Sequence, residues 1–442
     1  MESWQDEFKR KTISAEEAAN LVKSGDRVAF TMGREAYAVG LALAVRKEDL
    51  RDVKIYIHAP GYDLGWYDQG WKDSFDITIG QPTALVQEAV YEHTVDVLIH
   101  GLIPAGYPGL RPDIDPPDVL ITELSNPDAH GFCSFGNSLW DKKKQIKRAK
   151  LTIAEVNKNL IRTSGDNYIH VSEIDYFVPH NSIEGAPGKR GSLTGREFKE
   201  PPAYLKTIAE IVSGLIKDGD TLQIGVGRTT EPLVSLGMLK NKADLGWHSE
   251  ATPPGIISLI RSGVINGSRK TINPGKAVVT SIGGSSREEM EWVDNNPSIC
   301  LAEVDYLEDI RVIASHDNFV SINSALMIDL VGQIGCETIG RRRYSLSGGQ
   351  LPFACGAWLS KGGRYIVVLP STTEGKEGKV SRIVATFPQG TVTSIPAVLA
   401  DYIVTEYGYV RIAEKSLRQR ADALISIAHP DFRSDLRKAA LE

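Results

Sequence analysis

The sequence reads EEAANLVKSGDRVAFTMGREAYAVGLAL at residues 16–43 and EIVSGLIKDGDTLQIGVGRTTEPLVSLG at residues 210–237. These two stretches align without a gap. The aligned pairs, all at one offset, include Gly25 with Gly219, Asp26 with Asp220, Gly33 with Gly227 and Arg34 with Arg228. Recurrence of one pattern at a fixed distance is the sequence signature of a repeated structural unit. We therefore predict an internal duplication.

Each copy has the order of elements that opens an α/β unit. A helical stretch leads through a Gly-Asp turn into a short apolar strand, a glycine loop and a second helix. Other short runs rich in β-branched residues, such as VKIYIHAP and RYIVVLPST, suit a parallel sheet with helices on both faces. We predict an α/β fold with two similar open-sheet domains, residues 1–190 and 191–442, divided within the Gly-, Pro- and charge-rich segment 180–202.

Composition and charge argue against several classes of protein. The 442 residues carry a formal net charge of −6, with a sequence pI of about 5.9, so no overall basic field favours nucleic acid or an anionic membrane. The N-terminus lacks the apolar core of a secretory signal, and no apolar run is long enough for a membrane span. The four cysteines are far apart and show no C-x-x-C spacing, which predicts free thiols, a cytoplasmic location and no metal site.

The loop GVGRTTEP, residues 225–232, is the first candidate binding site. In open α/β sheets, ligands bind beyond the carboxyl ends of the strands, where glycines let the backbone approach an anion. As a motif the loop is weak, because it lacks the third glycine of the dinucleotide fingerprint. Signatures of P-loop, zincin and α/β-hydrolase enzymes are missing from the sequence. A dinucleotide- or sugar-phosphate-binding protein therefore remains an alternative at this point.

A lone carboxylate, Glu250, ends the short run GWHSE and is followed by the turn ATPPG. From the residues alone, a solvated loop acid is the ordinary interpretation. Many unrelated segments around it resemble, in their order, the acetyl-CoA hydrolase/transferase family, which includes the 4-hydroxybutyrate and butyryl CoA-transferases. The segments that carry the resemblance include SNPDAHGFCSFG (125–136), KLTIAEVN (150–157), LGWHSE (245–250), GVINGSRKTINPGK (263–276), INSALMIDLVGQI (322–334), SGGQLPFACGAWLSKGG (347–363) and ADYIVTEYG (400–408).

The resemblance covers roughly residues 10–435, nearly the whole chain. It implies two CoA-transferase domains of the NagB/RpiA-like type and a CoA-transferase that moves CoA between an acyl-CoA and a small carboxylic acid. It also implies that Glu250 is the catalytic nucleophile, which forms a covalent thioester with CoA. Coenzyme A is then a substrate, with no tightly bound cofactor. A homodimer or a larger homo-oligomer is expected.

The resemblance also assigns candidate residues around Glu250. Asn323 is expected to hydrogen-bond the reacting carboxylates, and Gln223 to donate to an oxyanion, although either could be an ordinary structural residue. His248 is expected to orient or pack rather than act as a base, since attack by a carboxylate requires no base. The candidate contacts to CoA or to the oxyanion are Gly225, Val226, Gly227, Arg228, Thr229, Gly348, Gly349 and Lys361. Lys361 could equally be an exposed turn lysine.

Three questions stay open on the sequence alone. Arg228 could be solvated or paired with Glu231, could bind a CoA phosphate, or could recognise the free carboxylate of a dicarboxylic acid through two parallel hydrogen bonds. The segments RTTEPL, ATPPG and SIGGSSREEM depart from the usual family pattern, which leaves the acyl specificity undetermined. Water in place of the acceptor acid would make the protein an acyl-CoA hydrolase that uses the same glutamate.

Overall fold

A computed structural model describes residues 2–33, 36–99, 116–180, 200–283, 286–376 and 378–441. Arg34 of the repeat, the predicted boundary at residues 190 and 191, and most of segment 180–202 lie outside these ranges. The chain divides into two compact units. Unit 1 contains residues Met1–Glu197 and Thr280–Tyr306, and unit 2 contains Phe198–Val279 and Leu307–Glu442.

The helices are short and alternate with strands along the chain. Several begin at a serine whose hydroxyl accepts from the backbone three residues on, as in the capping boxes Ser14/Glu17 and Ser416/Gln419. In chain order the α-helices are α1 Trp4–Lys11, α2 Ala15–Ala19, α3 Tyr37–Val45, α4 Gln87–Tyr91, α5 Lys142–Arg148, α6 Ala203–Leu215, α7 Glu231–Ser235, α8 Ile256–Arg261, α9 Arg287–Val293, α10 Val304–Leu307, α11 Ile310–Ala314, α12 Gln350–Leu359, α13 Leu417–Ser426 and α14 Pro430–Ala439. Short 3-10 helices span Arg46–Glu48, Val171–Glu173 and Ala397–Leu399.

The strands include the apolar runs predicted from the sequence. In chain order they are β1 Arg27–Phe30, β2 Val53–Ile57, β3 Phe75–Ile79, β4 Asp96–Val97, β5 Val119–Leu124, β6 Phe132–Ser134, β7 Leu151–Val156, β8 Ser164–Gly165, β9 Tyr168–His170, β10 Tyr176–Pro179, β11 Thr221–Ile224, β12 Gly246–Thr252, β13 Ala277–Ile282, β14 Ile299–Leu301, β15 Phe319–Ser324, β16 Met327–Asp329, β17 Ile334–Gly335, β18 Thr338–Ile339, β19 Arg342–Arg343, β20 Arg364–Val368, β21 Thr372–Gly375, β22 Gly378–Ser381, β23 Ile383–Val384, β24 Tyr402–Thr405 and β25 Gly408–Arg411.

Unit 1 is built on a parallel sheet with the strand order β10-β7-β5-β1-β2-β3-β4. Every residue of β5 is buried, which fits a strand covered on both faces. The core packs α2 and α3 against this sheet and includes Trp66, whose ring contacts those of Phe30 and Phe75. The prediction of an open, parallel α/β sheet is confirmed for this unit.

Unit 2 has its own mostly parallel sheet. Its strands follow the order β24-β20-β15-β11-β12, and β25 adds an antiparallel edge to β24. A separate core packs α11, α12 and α13 around buried apolar residues such as Phe319 and Phe353, which stack on each other. Within the described residues, no helix is long and apolar enough to cross a membrane. The four cysteines are free thiols.

The two copies of the repeat fold alike. In unit 1 the strand after the turn, β1, pairs with β2 and β5, and in unit 2 the corresponding β11 pairs with β12 and β15. The turns match in detail, because the Lys23 amide donates to Asp26 Oδ2 at 2.8 Å and the Lys217 amide donates to Asp220 Oδ2 at 2.6 Å. The shared geometry supports the duplication, which stays a prediction about the origin of the chain.

Candidate active site

Glu250 lies near the carboxyl end of β12 in unit 2. The preceding residues Gly246 to Ser249 are buried, and Glu250 itself is partly exposed. The turn predicted from ATPPG follows the strand, and Gly255 adopts the left-handed conformation, with φ +91°, just before α8. The fold therefore holds a carboxylate on a rigid strand at the edge where α/β proteins bind ligands.

The N-terminus of α12 approaches Glu250 closely. Gly349, the N-cap of this ten-residue helix, lies against the Glu250 carboxylate, and its backbone amide acts to lower the pKa of Glu250. A Cβ atom at position 349 would lie 2.5 Å from Glu250 Oε2, so only glycine lets the helix come this close. The helix dipole and the amide both stabilise negative charge at this place. The same features suit a developing oxyanion.

A second carboxyl group, Glu308, lies beside the first. Its exposed fraction is 0 %, and its carboxyl group lies close to that of Glu250, since a Cβ atom at Gly349 would be 2.6 Å from Glu308 Oε1 and 2.5 Å from Glu250 Oε2. Burial raises the pKa of Glu250 to about 7, and the neighbouring Glu308 carboxyl group and Gly349 backbone amide act in the opposite direction. Sequence reasoning missed Glu308, which stands among other acids in the segment EVDYLEDI and carries no distinguishing pattern.

Two buried histidines, His248 on β12 and His316, lie next to each other. His248 donates from Nε2 to the Leu307 carbonyl at 2.9 Å, and its ring lies 4.9 Å from the ring of His316. Burial is the main cause that lowers the pKa of His248 to about 3 and that of His316 to about 2. Both imidazoles are therefore neutral at pH 7, and the contact to Leu307 fixes the segment that carries Glu308.

Gln223 and Asn323 form one buried polar network with Ser321. Asn323 donates to Gln223 Oε1 at 3.0 Å and to Ser321 Oγ at 2.9 Å, while Gln223 donates back to Asn323 Oδ1 at 3.2 Å. Ser321 also donates to Gln223 Oε1 at 2.7 Å. The structure thus brings these two predicted residues together on β11 and β15. Ser321, two residues before Asn323 on the same face of β15, could have been found from the strand period.

The glycine loop packs directly against this network. The Gly225 amide donates to the Ile322 carbonyl at 2.8 Å, and a Cβ atom at Gly225 would lie 2.3 Å from Asn323 Oδ1. The Gly227 carbonyl accepts from the first residue of α7, Glu231. Val226 and Thr229 are partly buried, and the Arg228 side chain is exposed. The loop residues therefore lie at the carboxyl end of β11, as predicted.

The remaining two predicted contacts, Gly348 and Lys361, lie at opposite edges of the sheet. Gly348 directly precedes Gly349 and adopts φ +54°, which forms the turn into α12. Lys361 is exposed and lies just before β20, where its carbonyl accepts from the Asn318 amide ahead of β15. Parallel strands all start at one edge of a sheet, so Lys361 lies at the edge opposite the carboxyl end of β11. The structure does not bring it to the Glu250 site.

Comparison with known proteins places the chain among CoA-transferring enzymes. The 4-hydroxybutyrate coenzyme A transferase of Clostridium kluyveri is 39% identical, with 98% of each chain covered. The succinyl-CoA:cyclohexane-1-carboxylate CoA transferase of Geobacter metallireducens is 34% identical over 99% of this chain and 97% of its own. The crystal structure of RipA from Yersinia pestis superposes with a TM-score of 0.89 at 31% identity, covering 100% of this chain and 99% of that one.

The family assignment follows from these matches together with two domain matches. Residues 1–186 match the acetyl-CoA hydrolase/transferase N-terminal domain, and residues 285–440 match the corresponding C-terminal domain. The full-length relatives extend the similarity across Glu250, which neither domain match includes. The chain belongs to the acetyl-CoA hydrolase/transferase family.

Proposed function

We propose that the protein is an acyl-CoA:carboxylate CoA-transferase and that Glu250 is its nucleophile. The observation that carries the proposal is the placement of Glu250, partly exposed at the end of β12, with Gly349 at the N-terminus of α12 directly against its carboxylate. Relatives over nearly the full chain are named as CoA transferases for 4-hydroxybutyrate and for succinyl-CoA with cyclohexane-1-carboxylate. Small carboxylic acids and acyl-CoA are the corresponding substrate class.

The proposed chemistry begins with attack of the Glu250 carboxylate on the thioester carbonyl. The tetrahedral oxyanion collapses to a mixed anhydride and expels CoA thiolate. The thiolate then attacks the glutamyl carbonyl, which releases the first acid as its carboxylate and leaves a glutamyl-CoA thioester. A second carboxylate reverses both steps and leaves as its CoA ester. No proton is gained or lost, which agrees with a site whose histidines are neutral.

The remaining polar groups support this assignment. The amide at the start of α12 provides a donor for an oxyanion, a contribution that typically amounts to about 3 kcal/mol of barrier. The network of Gln223, Ser321 and Asn323 lies directly against the glycine loop at the neighbouring strand end. In this proposal CoA is a substrate rather than a bound cofactor. A homodimer and a cytoplasmic location stay predictions.

The test is a matrix of acyl-CoA donors against carboxylate acceptors, with the CoA esters resolved by mass. We expect exchange between acids with parallel double-reciprocal lines, because one site carries both half-reactions. Thiol release should be slow without an acceptor. The Glu250→Gln variant should lose exchange by at least about a thousandfold, since it removes the nucleophile. Rapid thiol release without an acceptor would instead identify a hydrolase, and intersecting lines would contradict the covalent route.

A further inference from the structure

Glu308 is a buried acid that the chemistry described so far does not use. Both of its oxygens are buried, and among the described residues neither meets a hydrogen-bond donor of another group. A Cβ atom at Gly349 would lie 2.6 Å from Glu308 Oε1 and 2.5 Å from Glu250 Oε2, so both carboxyl groups lie close to the Gly349 backbone. An ionised carboxylate that meets no protein donor is costly to bury, whereas the protonated acid can donate its own proton to a neighbouring oxygen.

The surroundings favour one shared proton on the pair. Burial and the charge of Glu250 hold the pKa of Glu308 well above its usual range. Two desolvated carboxyl groups in contact cannot both be ionised, so the more buried one keeps the proton. Of the other charged groups nearby, the Lys270 ammonium donates to the Trp247 and Lys276 carbonyls. Asp309 forms its ion pair with Arg311.

The position of Glu308 is fixed by the residue before it. The Leu307 carbonyl accepts from the buried His248, which stands two residues before Glu250 on β12. His248 and His316 are neutral. Neither therefore contributes a positive charge that would stabilise ionisation of both carboxyl groups. The strand that carries the nucleophile thus also holds the neighbouring acid in place.

We propose that Glu308, as a neutral carboxylic acid, is a catalytic hydrogen-bond donor to Glu250. This proposal rests on the proposed nucleophilic role of Glu250. Glu308 donates to the Glu250 oxygen that remains a carbonyl in the anhydride. When CoA thiolate adds to that carbonyl, the oxygen becomes an oxyanion and the hydrogen bond strengthens. Collapse expels the first acid as its carboxylate, and Glu308 keeps its proton throughout.

The test compares two variants of similar side-chain volume. Glu308→Gln keeps a neutral donor but has no proton to lose, whereas Glu308→Met has no donor. In single-turnover experiments, we expect Glu308→Met to form glutamyl-CoA about 100- to 1000-fold more slowly than the wild type, as for other lost oxyanion donors. Glu308→Gln should stay within about tenfold of the wild type, because an amide also donates.

The pH profile separates this role from a structural one. The wild-type rate should fall at alkaline pH as Glu308 loses its proton, and Glu308→Gln should lack that fall. The proposal is overturned if Glu308→Gln keeps the alkaline fall, or if a folded Glu308→Met forms glutamyl-CoA at the wild-type rate. If Glu308→Met does not fold, the profile of Glu308→Gln decides. Absence of any CoA adduct in the wild type would mean instead that the nucleophilic role of Glu250 has failed.

Discussion

At the scale of a single residue, Gly349 is the point at which the N-terminus of α12 comes close to two carboxyl groups. A methyl group there would lie 2.5 Å from Glu250 Oε2 and 2.6 Å from Glu308 Oε1, closer than such atoms can approach. We expect Gly349→Ala to lower kcat/KM by about 100-fold or more, since α12 or Glu250 must shift away from the position that stabilises the oxyanion. Its backbone has no left-handed strain to add, because φ is −78°.

The matched control is Gly214→Ala. Gly214 lies in α6, and a Cβ atom there would meet nothing within 4 Å. Steady-state kinetics of both variants, with circular dichroism to compare their folding, would check the prediction. Wild-type kcat/KM in Gly349→Ala would show that the amide of α12 does not act on the reacting atoms.

The sequence identifies a site residue when the residues next to it along the chain form a recognisable segment. Glu250, Gln223 and Asn323 were found because their segments resemble a family, and the structure brings the last two into one network. Glu308 could not be found in this way, because its role depends on contact with Glu250 across a distance of many residues. Nothing in the neighbouring sequence distinguishes a buried acid such as Glu308 from the exposed acids that are far more common.

At the scale of elements, the two Gly-Asp turns offer a comparison within one molecule. Gly25 and Gly219 have φ of +84° and +82°, a region that alanine adopts only with strain. A Cβ atom at Gly25 meets nothing within 4 Å, so Gly25→Ala should destabilise the fold by about 1–2 kcal/mol through the backbone alone. At Gly219 it would lie 2.6 Å from the Arg269 guanidinium, so Gly219→Ala should destabilise more.

Urea denaturation of the two variants would measure this difference. The exposed and flexible Arg269 side chain can move, so the excess at Gly219 should stay below about 1 kcal/mol. A stabilising effect at either position would contradict the left-handed turn geometry. Equal losses at both sites would mean that the Arg269 side chain moves aside at no cost.

The elements themselves were largely predictable, and their arrangement was less so. Apolar runs such as those of β5 and β20 were identified from composition, because strands buried on both faces are apolar throughout. The position of Lys361 was not predictable from its neighbours in sequence. It follows α12, whose N-terminus is at the site, and a ten-residue helix carries the chain about 15 Å away. Residues Thr280–Tyr306 also belong to unit 1, so the single boundary predicted between residues 190 and 191 does not describe the division into units.

At the scale of the whole molecule, the carboxyl pair of Glu250 and Glu308 should make stability depend on pH. The pKa of Glu308 is raised well above its ordinary value of 4.5, so the folded chain keeps a proton that the unfolded chain releases. Stability from this group is complete below pH 4.5 and is lost as pH rises toward the folded pKa. The slope is at most about 1.4 kcal/mol per pH unit for one group.

Glu308→Gln removes this proton, so we expect its stability relative to the wild type to increase between about pH 5 and pH 8. Denaturant unfolding at several pH values in that range would measure the difference. Glu250, with its pKa raised to about 7, adds a smaller loss of the same sign in the wild type. A difference between the two proteins that does not change with pH would mean that Glu308 is ionised in the folded chain.

The most direct measurement of the central claim is the mass of the intact protein after incubation with acyl-CoA in the absence of an acceptor acid. If Glu250 is the nucleophile, the chain should gain the mass of one CoA less water. Borohydride should reduce that adduct at Glu250, and peptide mapping should locate it there. Adding a carboxylic acid should discharge it as a new CoA ester. A protein that turns over acyl-CoA and acid but never carries CoA, or carries it at a residue other than Glu250, would contradict the account.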